Sequence, residues 1–390
     1  MLISARRNWS FVNWVLVLVI VTGAVSGCST SGVKPKKEFN FEKSWVRRTV
    51  QNEYLGARVA HVMSPVLFES LVIQGNEIDG LVAYQQKSGR EKWRRSITGG
   101  VTTAAKVHQG SLYFGAGDGF FYALDARTGS TKWSFPIRSE GLGAPLIYDN
   151  VVYFVSGTNS LYALKAESGE QVWFYNRIDA ASLTVRGASE PTVVGASVLV
   201  GFSDGYLVSL NKSSGSVQWE RKLGETVRFR DVDAKAVVDG GLAYVSSYDG
   251  KLYCINVNSG QVVWTNDEGG FTPVTIWQDT LFYSTSTRKV LALEKSSGKQ
   301  VWSLDLANTV AGQPIVHRGL LIFGEWKGKL RAVDQKSGRA VTSFSTGLGI
   351  TAMPTLNEST NYVYVMSADA NLFALRLNLQ SRLGGWEWEN

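Results

Sequence analysis

Cysteine and histidine are scarce in this chain, and that scarcity removes most site chemistry at once. Two cysteines in 390 residues, Cys28 and Cys254, can build neither a disulfide scaffold nor a cysteine-rich zinc site. The three histidines, His61, His108 and His317, are too scattered for a histidine-based metal centre. Proline is sparse as well, at 8 residues, while 40 glycines and 12% aromatic side chains describe a folded chain and exclude both collagen and disorder. The one long apolar run, Phe11 to Val21, is too short for a comfortable transmembrane helix.

That run has Arg6 and Arg7 before it and the small residues Gly23 and Ala24 after it, the layout of a secretory signal peptide over residues 1–27. Export of the remainder follows. Val25-Ser26-Gly27-Cys28 resembles the bacterial lipobox, which implies that Cys28 becomes a lipid-modified first residue, and Ser29 in place of Asp resembles the outer-membrane sorting pattern. The alternative is an uncleaved anchor helix with an incidental cysteine. Removing residues 1–27 takes away two arginines and no acid, so the formal charge falls from +7 to +5. Lys34, Lys36 and Lys37 beside Pro35 read as a flexible tether, residues 28–38, near a lipid surface. No other basic cluster is dense enough to suggest a nucleic-acid groove.

The rest of the chain repeats. Ser/Thr-Gly followed four residues later by Trp occurs at Gly89 and Trp93, Gly129 and Trp133, Gly169 and Trp173, Gly215 and Trp219, Gly260 and Trp264, and Gly298 and Trp302; a seventh copy, Ser337-Gly338, carries Thr342 in the Trp position. Six of the eight prolines mark repeat starts, and Pro65 to Pro354 covers 289 residues in seven steps. A mean period of about 41 residues is that of four-stranded propeller blades, and eight starts mean eight blades. Within one copy the strands read as Pro145–Tyr148, Val151–Ser156, Leu161–Lys165 and Gln171–Tyr175, separated by Asn, Asp, Gly and Ser.

The expected fold is all-β: a single eight-bladed β-propeller of four-stranded antiparallel blades over residues 39–377, followed by a tail, 378–390. A lone meander cannot bury its own faces, so the copies stack radially, and each Trp is expected to pack between neighbouring blades. The eighth copy lacks a Ser-Gly…Trp ending. The stretch Phe39–Val50, which contains Trp45, can supply its outer strand and close the ring.

In such a blade the first-to-second and third-to-fourth turns lie on one face, and the second-to-third turns and blade-to-blade connections on the other. From Trp to the next repeat start is usually 12 residues, but 18 from Trp173 to Pro191 and 17 from Trp219 to Ala236. Two adjacent connections on one face are therefore enlarged. They contain Leu183-Thr184-Val185-Arg186 and Arg230-Asp231-Val232-Asp233, apolar anchors among charges that suit a protein partner. The alternative is that Arg186 pairs with Asp231 or Asp233 and that both loops are tolerated insertions.

Ala123-Leu124-Asp125 with Thr128-Gly129…Trp133 resembles the PQQ-type repeat of quinoprotein dehydrogenases. Taken with the lipobox and eight repeats, the chain resembles the BamB family, lipoprotein subunits of the outer-membrane β-barrel assembly (BAM) machinery, over residues 20 to 377. Leu183-Thr184-Val185-Arg186-Gly187-Ala188-Ser189-Glu190-Pro191 and Asp231-Val232-Asp233 carry the most specific match. Val185 stands where that family has leucine, and Thr184 where it has serine. The resemblance implies that Leu183, Val185, Arg186, Asp231 and Asp233 contact the periplasmic POTRA region of BamA. It further implies an outer-membrane, periplasm-facing scaffold without cofactor, metal or catalytic residues, touching other BAM lipoproteins indirectly and possible unfolded clients.

A dehydrogenase using PQQ is the competing class. Such enzymes resemble one another in a pair of adjacent cysteines, and that pair is missing here: Cys28 is assigned to lipid and Cys254 aligns with Ala123, Ala163, Ser209, Ala292 and Ala332 as a small packed residue.

Overall fold

A computed structural model describes residues 36–51 and 61–382 apart from 102, 138, 142, 178–187, 224–230 and 249. Among the described residues there are thirty-two strands and no helix, arranged as eight four-stranded antiparallel sheets that form an eight-bladed β-propeller. Blade 3 is typical: Leu146–Tyr148, Val151–Val155, Ser160–Lys165 and Gln171–Asn176, paired in sequence order. The first strand of each blade has three residues, the middle two are almost wholly buried, and the outermost alternates between exposed and half-buried positions. Middle strands read as continuous apolar runs because neighbouring blades cover both of their faces. The buried clusters follow this geometry, each drawing on two adjacent blades; Tyr153 and Leu161 of blade 3 pack with Val198, Val200 and Val208 of blade 4.

The Trp of each repeat is what joins the blades. Trp93 lies over Gly129, where a Cβ would come within 2.7 Å of the indole, and its N–H donates to Ala126 O at 3.2 Å. Trp133 repeats this over Gly169, Trp173 over Gly215, Trp219 over Gly260 and Trp302 over Gly338. Their N–H groups donate to Ala166, Lys212, Val257 and Gln335 carbonyls. Trp264 keeps the stack over Gly298, but its indole N–H has no partner among the described residues. Glycine is needed twice over at these turns, because φ is positive (74° at Gly129) and because the indole fills the space a side chain would take. On its own blade each Trp faces a small residue, Ala83, Ala123, Ala163, Ser209, Cys254 or Ala292, and the pairing slips by one residue directly beyond it. Cys254 is buried, with burial pushing its thiol up to about 11, although a hydrogen bond with Tyr244 works the other way.

Blade 8 consists of Thr355–Asn357, Tyr362–Met366 and Asn371–Arg382, and its outermost strand is Lys36–Arg48. Trp45 takes the Trp position: it stacks over Gly89 of blade 1, donates to Gln86 O at 2.8 Å and packs against Tyr84 and Tyr364. Thr49 N–H donates to Ala370 O at 2.8 Å, and Thr355 Oγ1 donates to Pro65 O at 2.6 Å, fastening the same seam. Both members of an eighth Trp–Gly pair are missing. The third strand of blade 8 runs straight on where other blades turn at Ser-Gly, so Thr342 has no glycine floor to cover, and Phe41 and Leu377 join the cluster between blades 7 and 8 instead.

An alanine at Gly129 meets both obstacles and is expected to destabilise the protein by about 2 kcal/mol or more, whereas Gly195→Ala, at φ 58° with open space around it, costs about 1 kcal/mol. Urea unfolding midpoints of the two variants check the difference; equal midpoints would contradict it.

Candidate functional site

The enlarged connections follow the outermost strands of blades 3 and 4. Leu183, Val185 and Arg186 lie outside the described residues; the roots and exits of the loops, with Asp231 and Asp233, lie within them.

The first connection leaves blade 3 through Arg177, whose side chain is 14% exposed. Its guanidinium pairs with Asp204 and, at 2.7 Å, with Glu220, both on blade 4, and lies 4.3 Å from the Tyr206 ring centroid. Burial opposes the charge, but the hydrogen bonds with Glu220 and Asp204 outweigh it and hold Arg177 well above the usual arginine range. The loop thus starts from a fixed point spanning two blades.

At their exits the two connections are bonded to each other. Ser189 Oγ donates to Ala234 O at 3.2 Å, Lys235 Nζ pairs with Glu190 Oε1 at 2.5 Å, and Thr192 Oγ1 donates to Ala236 O at 2.7 Å. Lys106 reaches the other oxygen of Glu190 at 3.2 Å, so one carboxylate bridges two lysines from different blades. Lys106, Glu190 and Lys235, with Thr275, Gln313 and Met353, line a central channel of about 730 Å³.

Asp231 and Asp233 flank Val232, which turns inward: Val232 is fully buried against Leu199 and Leu207, its N–H donates to Phe202 O at 3.2 Å, and its backbone leaves no room for a side chain at Gly201. Alternation then places both aspartates on the other side of the segment. They do not share an environment, however. Asp231 is fully buried, and its carbonyl accepts from Tyr248 N–H of blade 5 at 3.2 Å. Asp233 is half-buried, and burial together with the charge of Asp231 pushes its carboxyl up to about 8.

The Tyr248 contact leads to residues that the repeat alignment does not single out. Tyr248, Phe271 and Trp326 form an aromatic row with centroid separations of 6.1 and 5.2 Å, on the same face as the enlarged connections. Trp326 is 38% exposed, and Leu348, in the connection from blade 7 to blade 8, is 44% exposed. The turn position occupied by Tyr248 and Trp326 in blades 5 and 7 is Glu77, Gly117, Gly157, Ser203, Ser286 or Ala368 elsewhere, so an aromatic at this turn is the mark that would have found them. Among the described residues, no group of three or more His, Cys, Asp or Glu side chains could hold a metal ion, and no helix is long and apolar enough to cross a membrane.

Because the carboxyl of Asp233 titrates higher folded than unfolded, stability is greatest below about pH 4 from this group and is lost as pH rises toward 8. Asp233→Asn is expected to raise the melting temperature at pH 8, by on the order of 1 kcal/mol in stability, and to change little at pH 4; thermal melts across that range check it.

The family model described as "Outer membrane protein assembly factor BamB" matches residues 77–288 and 274–379. A relative of that name from Kangiella koreensis is 32% identical over 90% of this chain and 95% of its own length. In other relatives of that name, from Alkalilimnicola ehrlichii and Legionella pneumophila, the aligned segment spans about half of the relative. BamB from Moraxella catarrhalis superposes with a TM-score of 0.74, covering 86% of this chain and 99% of that one at 20% identity. A quinohemoprotein alcohol dehydrogenase from Pseudomonas putida superposes at 0.71 with 12% identity, covering 90% of this chain and 78% of that one. At these identities the two structures show a shared fold alone. The family model and the Kangiella relative show more: this chain belongs to the BamB family of outer-membrane protein assembly factors.

Proposed function

We propose that this protein is a non-enzymatic docking subunit of the outer-membrane protein assembly complex and that its connection face binds the POTRA region of BamA. The observation that carries this reading is the pairing of the two enlarged connections. They are longer than every other connection that follows a Ser/Thr-Gly…Trp repeat, exceeded only by the Trp45-to-Pro65 segment at the ring closure; they are bonded to each other at their exits, and Arg177 fixes the root of the first one. Loops anchored at root and exit on a rigid ring are where recognition groups tend to sit.

Within this reading Leu183 and Val185 supply apolar anchors and Arg186 an orienting charge. Asp231 acts from beneath, since it is buried, and Asp233 lies nearer the surface. The row Tyr248, Phe271 and Trp326 continues the same surface with exposed aromatic area, the residue class enriched where binding energy concentrates. A lipid on Cys28 would hold the protein at the periplasmic side of the outer membrane, and unfolded outer-membrane proteins are the clients whose assembly it would assist.

A PQQ-dependent dehydrogenase is less well supported. The chain shares a propeller fold with a quinohemoprotein dehydrogenase, but Cys254 is a solitary buried thiol with its pKa raised, packed opposite Trp264. Lys106, Glu190 and Lys235 in the channel are occupied with one another.

The test is binding of purified protein to the POTRA region of BamA. The Leu183→Ala/Arg186→Ala variant is expected to bind at least about 30-fold more weakly, with an unchanged melting temperature. Unchanged affinity would remove these loops from the interface, and PQQ-dependent dye reduction by the pure protein would overturn the scaffold reading altogether.

A further inference from the structure

The opposite face of the ring, which carries the first-to-second and third-to-fourth turns, is electrostatically lopsided. Lys299 of blade 6, Arg318, Lys336 and Arg339 of blade 7, Arg376 of blade 8 and Lys87 of blade 1 are all exposed, and none makes an ion pair or a side-chain hydrogen bond among the described residues. Most acids on the same arc are engaged. Glu69 pairs with Arg127, Asp334 accepts from the Ser337 hydroxyl and from the backbone of its own turn, and Glu294 accepts from Ser297. Among the described residues, Glu358 is exposed beside the cations without a partner. Across the ring the pattern is different: Glu167 of blade 3 stands beside the Lys165–Glu170 ion pair, Lys212 of blade 4 is tied to Asp149, and the corresponding turns of blade 5, Gly240-Gly241 and 257–261, carry no charge.

The centre of this cationic arc is blade 8, and blade 8 is where the N-terminal strand enters. Lys36–Arg48 is antiparallel to Asn371–Arg382 and runs from the turn face toward the connection face, so the strand's own N-terminal end lies on the turn face. Nine residues separate Cys28 from Lys37, a step of no more than about 30 Å even when fully extended.

We propose that this arc of the turn face docks on a membrane surface bearing anionic phospholipid headgroups. The proposal rests on the reading of Cys28 as a lipid anchor only for its geometry. A lipid at that position keeps blade 8 within reach of the bilayer, and the unpaired cations are then placed to meet headgroup phosphates. Exposed lysines and arginines near an anionic surface each add to membrane affinity, and a single anchor is strengthened by such a patch. The arrangement also divides the labour between the faces. The basic turn face lies toward lipid, and the connection face, with its buried Asp231, its paired loops and its aromatic row, is left open to a protein partner.

The experiment uses the exported chain from residue 28 with Cys28→Ser, so that no lipid anchor contributes. Co-sedimentation is measured with vesicles of phosphatidylcholine alone and with vesicles containing phosphatidylglycerol. Binding is expected only to the anionic vesicles, with release in 0.5 M salt, about which the Debye length is too short for the attraction to persist. Lys336→Gln/Arg339→Gln is expected to weaken binding about 30-fold. Lys222→Gln/Lys327→Gln, which removes the same charge away from this arc, is expected to leave it unchanged. Equal binding to both vesicle types, or equal loss in the two variants, would overturn the proposal. Binding to the POTRA region of BamA is measured on the same proteins; its loss in the wild type counts against the docking reading and leaves the lipid result standing on its own.

Discussion

An indole lying flat on a glycine of the next blade is the contact on which this molecule depends. Seven such pairs run around the ring, from Trp45 over Gly89 to Trp302 over Gly338. Each is selective in both partners. The turn needs a positive φ, the indole needs the space that a Cβ would occupy, and on its own blade the Trp needs Ala, Ser or Cys opposite it. A four-stranded meander cannot bury both of its faces alone, so these pairs convert eight marginal sheets into one cooperative ring. The ring in turn frees its connections from structural duty. Connections of nine, twelve or eighteen residues fit between the same fixed points, which leaves the two after blades 3 and 4 free to grow.

Much of this architecture is legible in the amino-acid sequence because the Trp–Gly requirement imposes an exact beat. Ser/Thr-Gly, a Trp four residues on and a Pro at repeat starts locate the blades, and the strands of blade 3 fall within a residue of where alternation and turn residues put them. The enlarged connections are visible by simple counting. What counting cannot reveal is how residues from different repeats meet. Asp231 looks like an exposed docking carboxylate, two residues from Asp233 on an extended segment, yet it is buried beside Tyr248, a residue of the next blade. Tyr248, Phe271 and Trp326 are more than twenty residues apart in sequence, and only ring curvature makes them a row. The paired absence of Trp at 342 and of a Ser-Gly turn in blade 8 is plain in sequence, but its cause, a third strand running straight on beside Lys36–Arg48, is a matter of three dimensions.

The two faces of the ring have different chemistry for a topological reason. Ser-Gly turns are short and uniform, so the turn face can vary only in its side-chain charges, and it does so around blade 8. Blade-to-blade connections can grow, and the connection face varies in length, in burial of Asp231 and Asp233 and in exposed aromatic area. One face is suited to a surface without fine structure, the other to a partner with a definite shape.

That division is tested most directly by hydrogen–deuterium exchange of the protein alone and bound to the POTRA region of BamA. Protection is expected in residues 177–191 and 223–236 and in the turns holding Tyr248 and Trp326, with the Ser-Gly turns unchanged. Protection confined to the Ser-Gly turns, with the two enlarged connections exchanging as before, would contradict the account.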